Sequence, residues 1–392
     1  MLRLRDSPML LDAAASAVGS EFQIQKQLRG RFDDDLVRAA LTLNDLRRRA
    51  AGKFTRAAEM WFDRQGLEQA TAEVVACYKA RRFTGDVWDL CCGIGSDAGA
   101  MAARGPVTAV DRNPAACLRT MWNAELAGVG DRVAIECRDV GELDVSGRLV
   151  HIDPDRRPNA LGRALRIEDY VPGLEALQTL TTQARGGAIK LSPACNFGGK
   201  FPQAEVELIS LHGECKEATI WFGELVGTAP FRATALPSGE TLSGHPLDTL
   251  AERSTLGAWI FDPDPSIVRA GLVDLLAETL GLRRLDDAEE YLTGDRYVRS
   301  AFVQAFEVLE SLPNQEREIR HALRRSDFGP LEIKCRHIPI AAEELRRRLP
   351  RGGEQPGVLL FVREHGKARA VLARRFRSTE AQESRSLGFE EC

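Results

Sequence analysis

The stretch Val87-Trp-Asp-Leu-Cys-Cys-Gly-Ile-Gly-Ser-Asp97 constrains the fold more than any other part of the chain. Residues 87–90 read as a buried strand, and Gly93-x-Gly95 as a tight turn into a helix of small residues, 97–103. A strand that runs straight into Gly-x-Gly brings backbone N–H groups and a helix N-terminus together at its carboxyl end. In a parallel sheet, that end is where nucleotide-like ligands sit. A Cβ at either glycine would obstruct a ligand and disfavour the turn's backbone angles. The turn alone is a weak signal. Its weight comes from the acids that succeed it at regular intervals.

Strands are expected at 107–110, ending on Asp111, and at 133–137, ending near Asp139. Two more are expected at 148–152, ending on Asp153-Pro154, and at 187–191, with helices after Asn113-Pro114 and around 173–184. Strands 205–212 and 216–222, joined at Gly213-Glu214-Cys215, close the series as a hairpin. The pattern predicts an α/β fold with an open parallel sheet. Acids or the Gly turn then stand at four successive strand ends, which a parallel sheet places along one edge. Asp111 lies 18 residues beyond Gly93, near the spacing of about 20 at which an acid meets ribose hydroxyls.

Two ligands compete. Gly93-x-Gly95-x-x-Ala98 fits a tolerant dinucleotide fingerprint, but a dinucleotide gives no reason for Asp139 or for Asp153-Pro154. S-adenosylmethionine gives a reason for both. Asp89 can face its ammonium, Asp139 can accept from the adenine amine, and Asp153-Pro154 sits where the methyl leaves.

Residues 1–60 read as helical, with Leu36, Ala39, Ala40, Leu43 and Leu46 as the apolar face and Arg47 to Arg49 in water. Beyond the hairpin, strands at 231–236 and 257–261 and a helix at 267–280 suggest an extension of the catalytic body. A last module comes after them, as helix 315–324, strand 330–335, helix 341–348 and strands 357–363 and 368–374. The polar tail from Ser378 is expected to be disordered. The domain boundaries expected are 1–75, 76–230, 231–312, 313–376 and 377–392.

The net charge of −4 gives no global pull toward nucleic acid, but its distribution is uneven. Residues 314–375 carry 15 Lys/Arg against 8 Asp/Glu, a net +7. Such a basic module on an acidic body is either a nucleic-acid contact or a solvated arginine-rich surface. The nine cysteines are scattered, with Cys91 and Cys92 expected on opposite sides of a strand. No C-x-x-C spacing is present, so neither a disulfide framework nor a metal site is expected. Charge interrupts the N-terminal residues before any apolar run. With no stretch near the ~18 apolar residues of a membrane span, neither a signal peptide nor a membrane partner is expected. The cytoplasm is the expected compartment.

Residues 61–222 resemble class I S-adenosylmethionine-dependent methyltransferases. The turn Asp89-Leu-Cys-Cys-Gly-Ile-Gly95 is similar to that of the RNA cap guanine-N2 (trimethylguanosine synthase) group. The whole chain looks like a bacterial family that joins a methyltransferase to a C-terminal THUMP-like domain. Its matching features include Gly66-Leu-Glu-Gln-Ala-Thr71, Asp153-Pro-Asp-Arg-Arg157, Lys190-Leu-Ser-Pro193, Asp262-Pro-Asp-Pro265 and Tyr291-Leu-Thr293.

The resemblance implies a Rossmann-like methyltransferase sheet with an N-terminal helical lobe and a small C-terminal α/β domain. It implies S-adenosyl-L-methionine as cofactor. Asp89, Gly93 and Gly95 would hold its methionine end, Asp111 the ribose, and Asp139 with Val140 the adenine. Gln69 and Thr71 would come from a covering segment, and Cys91, Asp97 and Arg112 complete the cofactor set.

Asp153, Pro154 and Asp155 mark the transfer point, with Arg156, Arg157, Lys190, Phe197 and Lys200 toward the substrate. Base-amino methyltransferases carry Pro-Pro-aromatic after the first residue, whereas here Asp155 and Arg156 replace the second proline and the ring. Guanidinium can stack on a base or pair with phosphate, and Asp155 can orient or deprotonate a nucleophile. THUMP domains bind structured RNA, so the resemblance implies RNA as the partner. A small-molecule or protein substrate, or a non-catalytic RNA-binding protein, are the alternatives.

Overall fold

The computed structural model describes residues 1–156, 166–350 and 352–376, with the backbone alone at 21 and 156. Arg157 and the expected tail, 377–392, lie outside the described residues. The chain divides into two compact units. The first comprises residues 1–204 with 220–226, and the second 205–219 with 227–376 among the described residues.

The first unit opens with four helices: α1 (Leu2–Arg5), α2 (Pro8–Ser16), α3 (Glu21–Arg29) and α4 (Asp34–Ala50). In α4 the acids Asp34 and Asp35 occupy the first turn and Arg47, Arg48 and Arg49 the last, charges that complement the helix dipole. Its buried face is Val37, Ala40, Leu43, Leu46 and Ala50. The face expected from the sequence is one residue out of phase at the start, since Leu36 is half-buried and Ala39 exposed. Apolar pairs at 36–37 and 39–40 permit two stripes, and packing selects the one that also carries Ala50. The same core takes in Leu67 and Ile94, the latter from the glycine turn, so the helical lobe supports that turn from behind.

Next come α5 (Arg64–Gln69), α6 (Glu73–Ala80), β1 (Val87–Leu90), α7 (Ser96–Ala102), β2 (Val107–Val110) and α8 (Pro114–Leu126). They are followed by β3 (Val133–Glu136), β4 (Leu149–Ile152), β5 (Asp155–Arg156), β6 (Tyr170–Val171), α9 (Leu174–Gln183) and β7 (Gly186–Leu191). Five strands form a parallel array in the order β7-β4-β1-β2-β3, while β5 and β6 pair as a short antiparallel ribbon. Leu90 is level with Val110 and Ile152, Val110 with Glu136, and Ile152 with Ile189. The residues after these positions therefore emerge along one edge. β1 stops at Leu90, so Cys91 and Cys92 are not strand neighbours, and Cys91 instead takes φ 59 in the turn.

The second unit begins with β8 (Glu205–Leu211) and β9 (Glu214–Gly223), whose residues 220–223 belong to the first unit. The turn between them is His212-Gly213, with φ 54 and 79, rather than Gly213 to Cys215. Positive φ at both central residues suits the right-handed twist of a two-residue hairpin, which leaves Glu214 and Cys215 in the strand. β10 (Phe231–Leu236) runs parallel to β8, and β11 (Glu240–Gly244) antiparallel to β10.

A second sheet contains β12 (Trp259–Pro263), β13 (Arg283–Arg284), β14 (Leu292–Gly294), β15 (Val303–Pro313), β16 (Phe328–Cys335), β17 (Gln355–Glu364) and β18 (Lys367–Arg375). Its order is β13-β14-β12-β15-β18-β17-β16. Residues 231–312 are thus divided between two sheets, because the long strand β15 pairs with β12 on one side and β18 on the other. The helix expected over 267–280 is two helices, α10 (Pro265–Ala270) and α11 (Val273–Leu280). Gly271 separates them at φ 72, its N–H closing on the Ile267 and Val268 carbonyls.

Along β17, Leu359 and Phe361 face α12 (Glu316–Arg325) and α13 (Ala342–Arg348), where they pack with Ile319, Leu323 and Leu345. Val358, Leu360 and Val362 alternate onto the other face, with Ile260, Tyr291 and Phe306. Phe361 is fully buried. Its replacement by alanine should cost about 3–5 kcal/mol of stability, read as a lowered urea midpoint with an unchanged slope.

Candidate active site

The edge at which β1, β2, β3, β4 and β7 end collects the polar residues. Asp89, the third residue of β1, is 1% exposed. Its Oδ1 accepts from His151 Nδ1 at 2.7 Å, whereas its Oδ2 is buried with no hydrogen-bond partner among the described residues. Burial pushes this carboxyl above the usual carboxylate range, with the His151 contact pulling the other way. The turn comes directly after. Cys91 holds a left-handed conformation that costs an L-residue roughly 1–2 kcal/mol, and burial pushes its thiol far up.

Gly95 has φ 80, and a Cβ there would lie 2.7 Å from Thr120 Cγ2, so α8 packs directly on the turn. Gly93 has φ 59, and a Cβ there would point into open space. Asn123 of α8, also buried, donates to the carbonyls of Trp61 and Ile94 and accepts from the Trp61 N–H. It thereby ties the segment before α5 to the turn.

Asp111 leaves β2 with its carboxylate bridging two backbone donors, Gly93 N–H at 3.0 Å and Asn113 N–H at 2.8 Å. Asn113 in turn caps α8, with Pro114 in its first turn. Arg112 is exposed. Asp139 is exposed and caps the short 3-10 turn Val140–Glu142 through Gly141 N–H, 2.9 Å away, and Val140 is half-buried.

Thr71 and Asp97 are both inside the protein and join each other, Oγ1 donating to Oδ2 at 2.6 Å. Lys79 Nζ, 1% exposed, lies 2.9 Å from the other Asp97 oxygen. Burial raises the Asp97 carboxyl, but Lys79, His151, Lys190 and the Thr71 hydroxyl outweigh it and hold the group far below the usual range.

At the end of β4, Asp153 pairs with Lys190 of β7 at 2.7 Å, and the same ammonium donates to the Gln69 carbonyl at 2.8 Å. Pro154 is buried. Asp155 accepts from Gln69 Nε2 at 2.7 Å and more distantly from Gln65 Nε2. The C-terminal turn of α5 is therefore fastened to the 153–155 loop at two points. Arg156 is placed in β5 by its backbone. Lys200 pairs with Glu168 at 2.5 Å and also contacts Asn196, and Phe197 beside them is half-buried.

The structure brings Gln69, Asp153, Asp155 and Lys190 into one hydrogen-bonded group. Asp89, Gly93 and Asp111 surround the turn, while Lys200 belongs to a separate cluster with Glu168. Three residues at the site escape the reading of the sequence. Lys79 interrupts the apolar run Val74-Val-Ala-Cys-Tyr78, His151 interrupts Leu149-Val-x-Ile152, and Gln65 precedes Gln69 by one helical turn. A lone polar residue inside each apolar run was the available signal for the first two.

The THUMP domain-like family matches residues 303–375, from β15 to β18. A protein described as an uncharacterized S-adenosylmethionine-dependent methyltransferase, found in Mycobacterium tuberculosis strains CDC 1551 and H37Rv, is 36% identical over 350 residues. The match covers 86% of this chain and 95% of the relative. The chain belongs to this family of S-adenosylmethionine-dependent methyltransferases. The fold of the methyltransferase is shared by a crystal structure from Porphyromonas gingivalis W83, provisionally described as a methyltransferase. That similarity has a TM-score of 0.74 at 21% identity, covering 94% of this chain and 99% of the other.

S-adenosylmethionine is the cofactor, and the site fits it on two observations. The buried, unpartnered Asp89 oxygen calls for a cationic donor, and the open space beyond Gly93 leaves room beside the turn. Among the described residues, no group of three or more His, Cys, Asp or Glu side chains could hold a metal ion, and no helix is long and apolar enough to cross a membrane.

The Asp97–Lys79 pair makes a stability prediction. A depressed folded pKa contributes stability that is fully present above the unfolded carboxylate value and is lost as pH falls below it. Asp97→Asn removes the buried ion pair with Lys79, so it should cost about 3–5 kcal/mol at pH 7. In urea titrations at pH 7 and pH 3, the gap between wild type and variant should narrow at the lower pH.

Proposed function

We propose that this methyltransferase acts on RNA. The observation that carries the reading is the exposed face of the THUMP-like region. Arg317, His321 and Arg324 lie at successive turns of α12, with Arg347 exposed on α13. Arg317, Arg324 and Arg347 form no ion pair among the described residues, unlike Arg325, Arg346, Arg348 and Arg375 of the same region. Guanidinium groups without acidic partners are suited to phosphate.

In this reading Asp89 takes the ammonium of the cofactor and Asp111 its ribose hydroxyls, through the lone pairs its two backbone donors leave open. Asp139 and Val140 border the adenine. When bound, the cofactor supplies a methyl group already activated on a sulfonium. The protein's part is mainly to align the nucleophile with it and exclude water. Asp153 is held by Lys190 and Asp155 by the two glutamine amides, so the loop that bears them is fixed before substrate arrives. Asp155 then serves as the acceptor that orients the nucleophile's proton, with Phe197 as a candidate stacking surface.

Three experiments test the proposal. Asp111→Ala should weaken S-adenosylhomocysteine binding in calorimetry by about tenfold or more, and wild-type affinity would remove Asp111 from the ribose role. Tritiated methyl transfer should label total RNA from a deletion strain and spare protein and small-molecule extracts. Label confined to either of those extracts would replace the RNA reading. Reversing Arg317, Arg324 and Arg347 to Glu should reduce RNA affinity and flatten its salt dependence by about one unit of slope per lost phosphate contact.

A further inference from the structure

Beneath the glycine turn runs a buried chain of polar groups that methyl transfer does not by itself require. It passes from Thr71 through Asp97, Lys79 and His151 to Asp89. All five residues are buried. Lys79 Nζ lies 3.4 Å from His151 Nε2 and 2.9 Å from Asp97 Oδ1. An ammonium has only donors, so Nε2 is the nitrogen that accepts from Lys79, which places a proton on Nδ1. That proton is the one donated to Asp89 Oδ1 at 2.7 Å.

Lys79 thereby selects the tautomer, and the tautomer selects which Asp89 oxygen is satisfied. The other, Oδ2, is left buried and unpartnered. The ring plane has its own support, since Phe83 packs edge-on against His151 with centroids 6.4 Å apart. Lys79 is paired with Asp97 and Lys190 with Asp153, whereas Asp89 has the histidine alone as its hydrogen-bond partner among the described residues. A buried carboxylate oxygen left without a donor is satisfied by a cationic group brought to it.

We propose that His151 and Lys79 are positioning residues that aim Asp89 at the α-ammonium of the cofactor, Lys79 acting through the histidine tautomer. The inference rests on the proposed role of Asp89 as the ammonium's partner and adds two residues that never touch the ligand. Their effect is confined to ligands that carry the ammonium. A role in folding alone would affect every ligand of the pocket alike.

The test is calorimetry on the full-length protein with S-adenosylhomocysteine, which carries the α-ammonium, and methylthioadenosine, which keeps the adenosine and sulfur but lacks the amino-acid end. Lys79→Met and His151→Leu should each weaken S-adenosylhomocysteine by about tenfold or more and leave methylthioadenosine within about twofold. Decarboxylated S-adenosylmethionine, which retains the ammonium, should behave as S-adenosylhomocysteine does. His151→Asn keeps an amide donor where Nδ1 stands and should recover most of the affinity. Asp89→Asn separates the two levels of the argument. If Asp89→Asn binds S-adenosylhomocysteine like wild type, the Asp89 reading itself fails. If Asp89→Asn loses affinity while the Lys79 and His151 variants keep it, the relay is refuted and Asp89 stands. Equal weakening of all the ligands would also overturn the relay. Should the leucine or methionine variant fail to fold, His151→Asn still decides, because loss of S-adenosylhomocysteine affinity there, with the donor retained, contradicts the tautomer argument.

Discussion

Leu90 lies level with Val110 on one side and Ile152 on the other, and this parallel register organises the first unit. A parallel sheet has no freedom to stagger its strand ends once the hydrogen-bond ladder is set. The Gly93–Gly95 turn, Asp111 and Asp153 therefore leave the sheet at one level, and Asp139 comes close behind on the third strand. A one-residue slip of β1 would turn Asp89 to the opposite face and break its contact with His151. The helical lobe supports this arrangement through Ile94, which sits in its core.

The candidate site combines two kinds of polar group with different physical roles. On the rim, Asp111, Asp139 and Asp155 accept from backbone or amide donors. In the interior, Asp89, Asp97, Lys79 and His151 depend on one another, because a buried charge without a partner is costly. In the proposed reading the rim defines shape and reach. The interior then sets the sign of charge the pocket accepts, and the two meet at Asp89.

The second unit separates packing from surface chemistry by strand alternation. Leu359 and Phe361 face the helices, Val358, Leu360 and Val362 face the other core, and the arginines of α12 and α13 remain outside. Many basic side chains in this region are neutralised locally, as Lys334 and Arg336 are by Asp262 and Glu290 and Arg375 is by Glu332. The charge available to a partner is thus smaller than the composition suggests and is concentrated on two helices. A count of Lys and Arg along the chain cannot reveal this, because Asp262 and the residues it neutralises are about 70 positions apart in sequence.

The β/α alternation, the glycine turn, the acids at strand ends and the C-terminal helix–strand order are all legible in the chain itself. Each is a local pattern of period two or 3.6 punctuated by Gly, Pro and Asn, and local steric rules suffice to read it. Local patterns do not report partners. Nothing in the sequence joins Lys190 to Asp153, Gln65 to Asp155, or Lys79 to His151, which lie 72 residues apart. Nor does the sequence join Thr71 to Asp97, which folding pairs with each other. The sequence by itself determined which strand ends carry acids and where the turn lies. Only the tertiary structure decided which of those acids are paired and which keeps a free oxygen, because burial and register bring distant charges within hydrogen-bonding range.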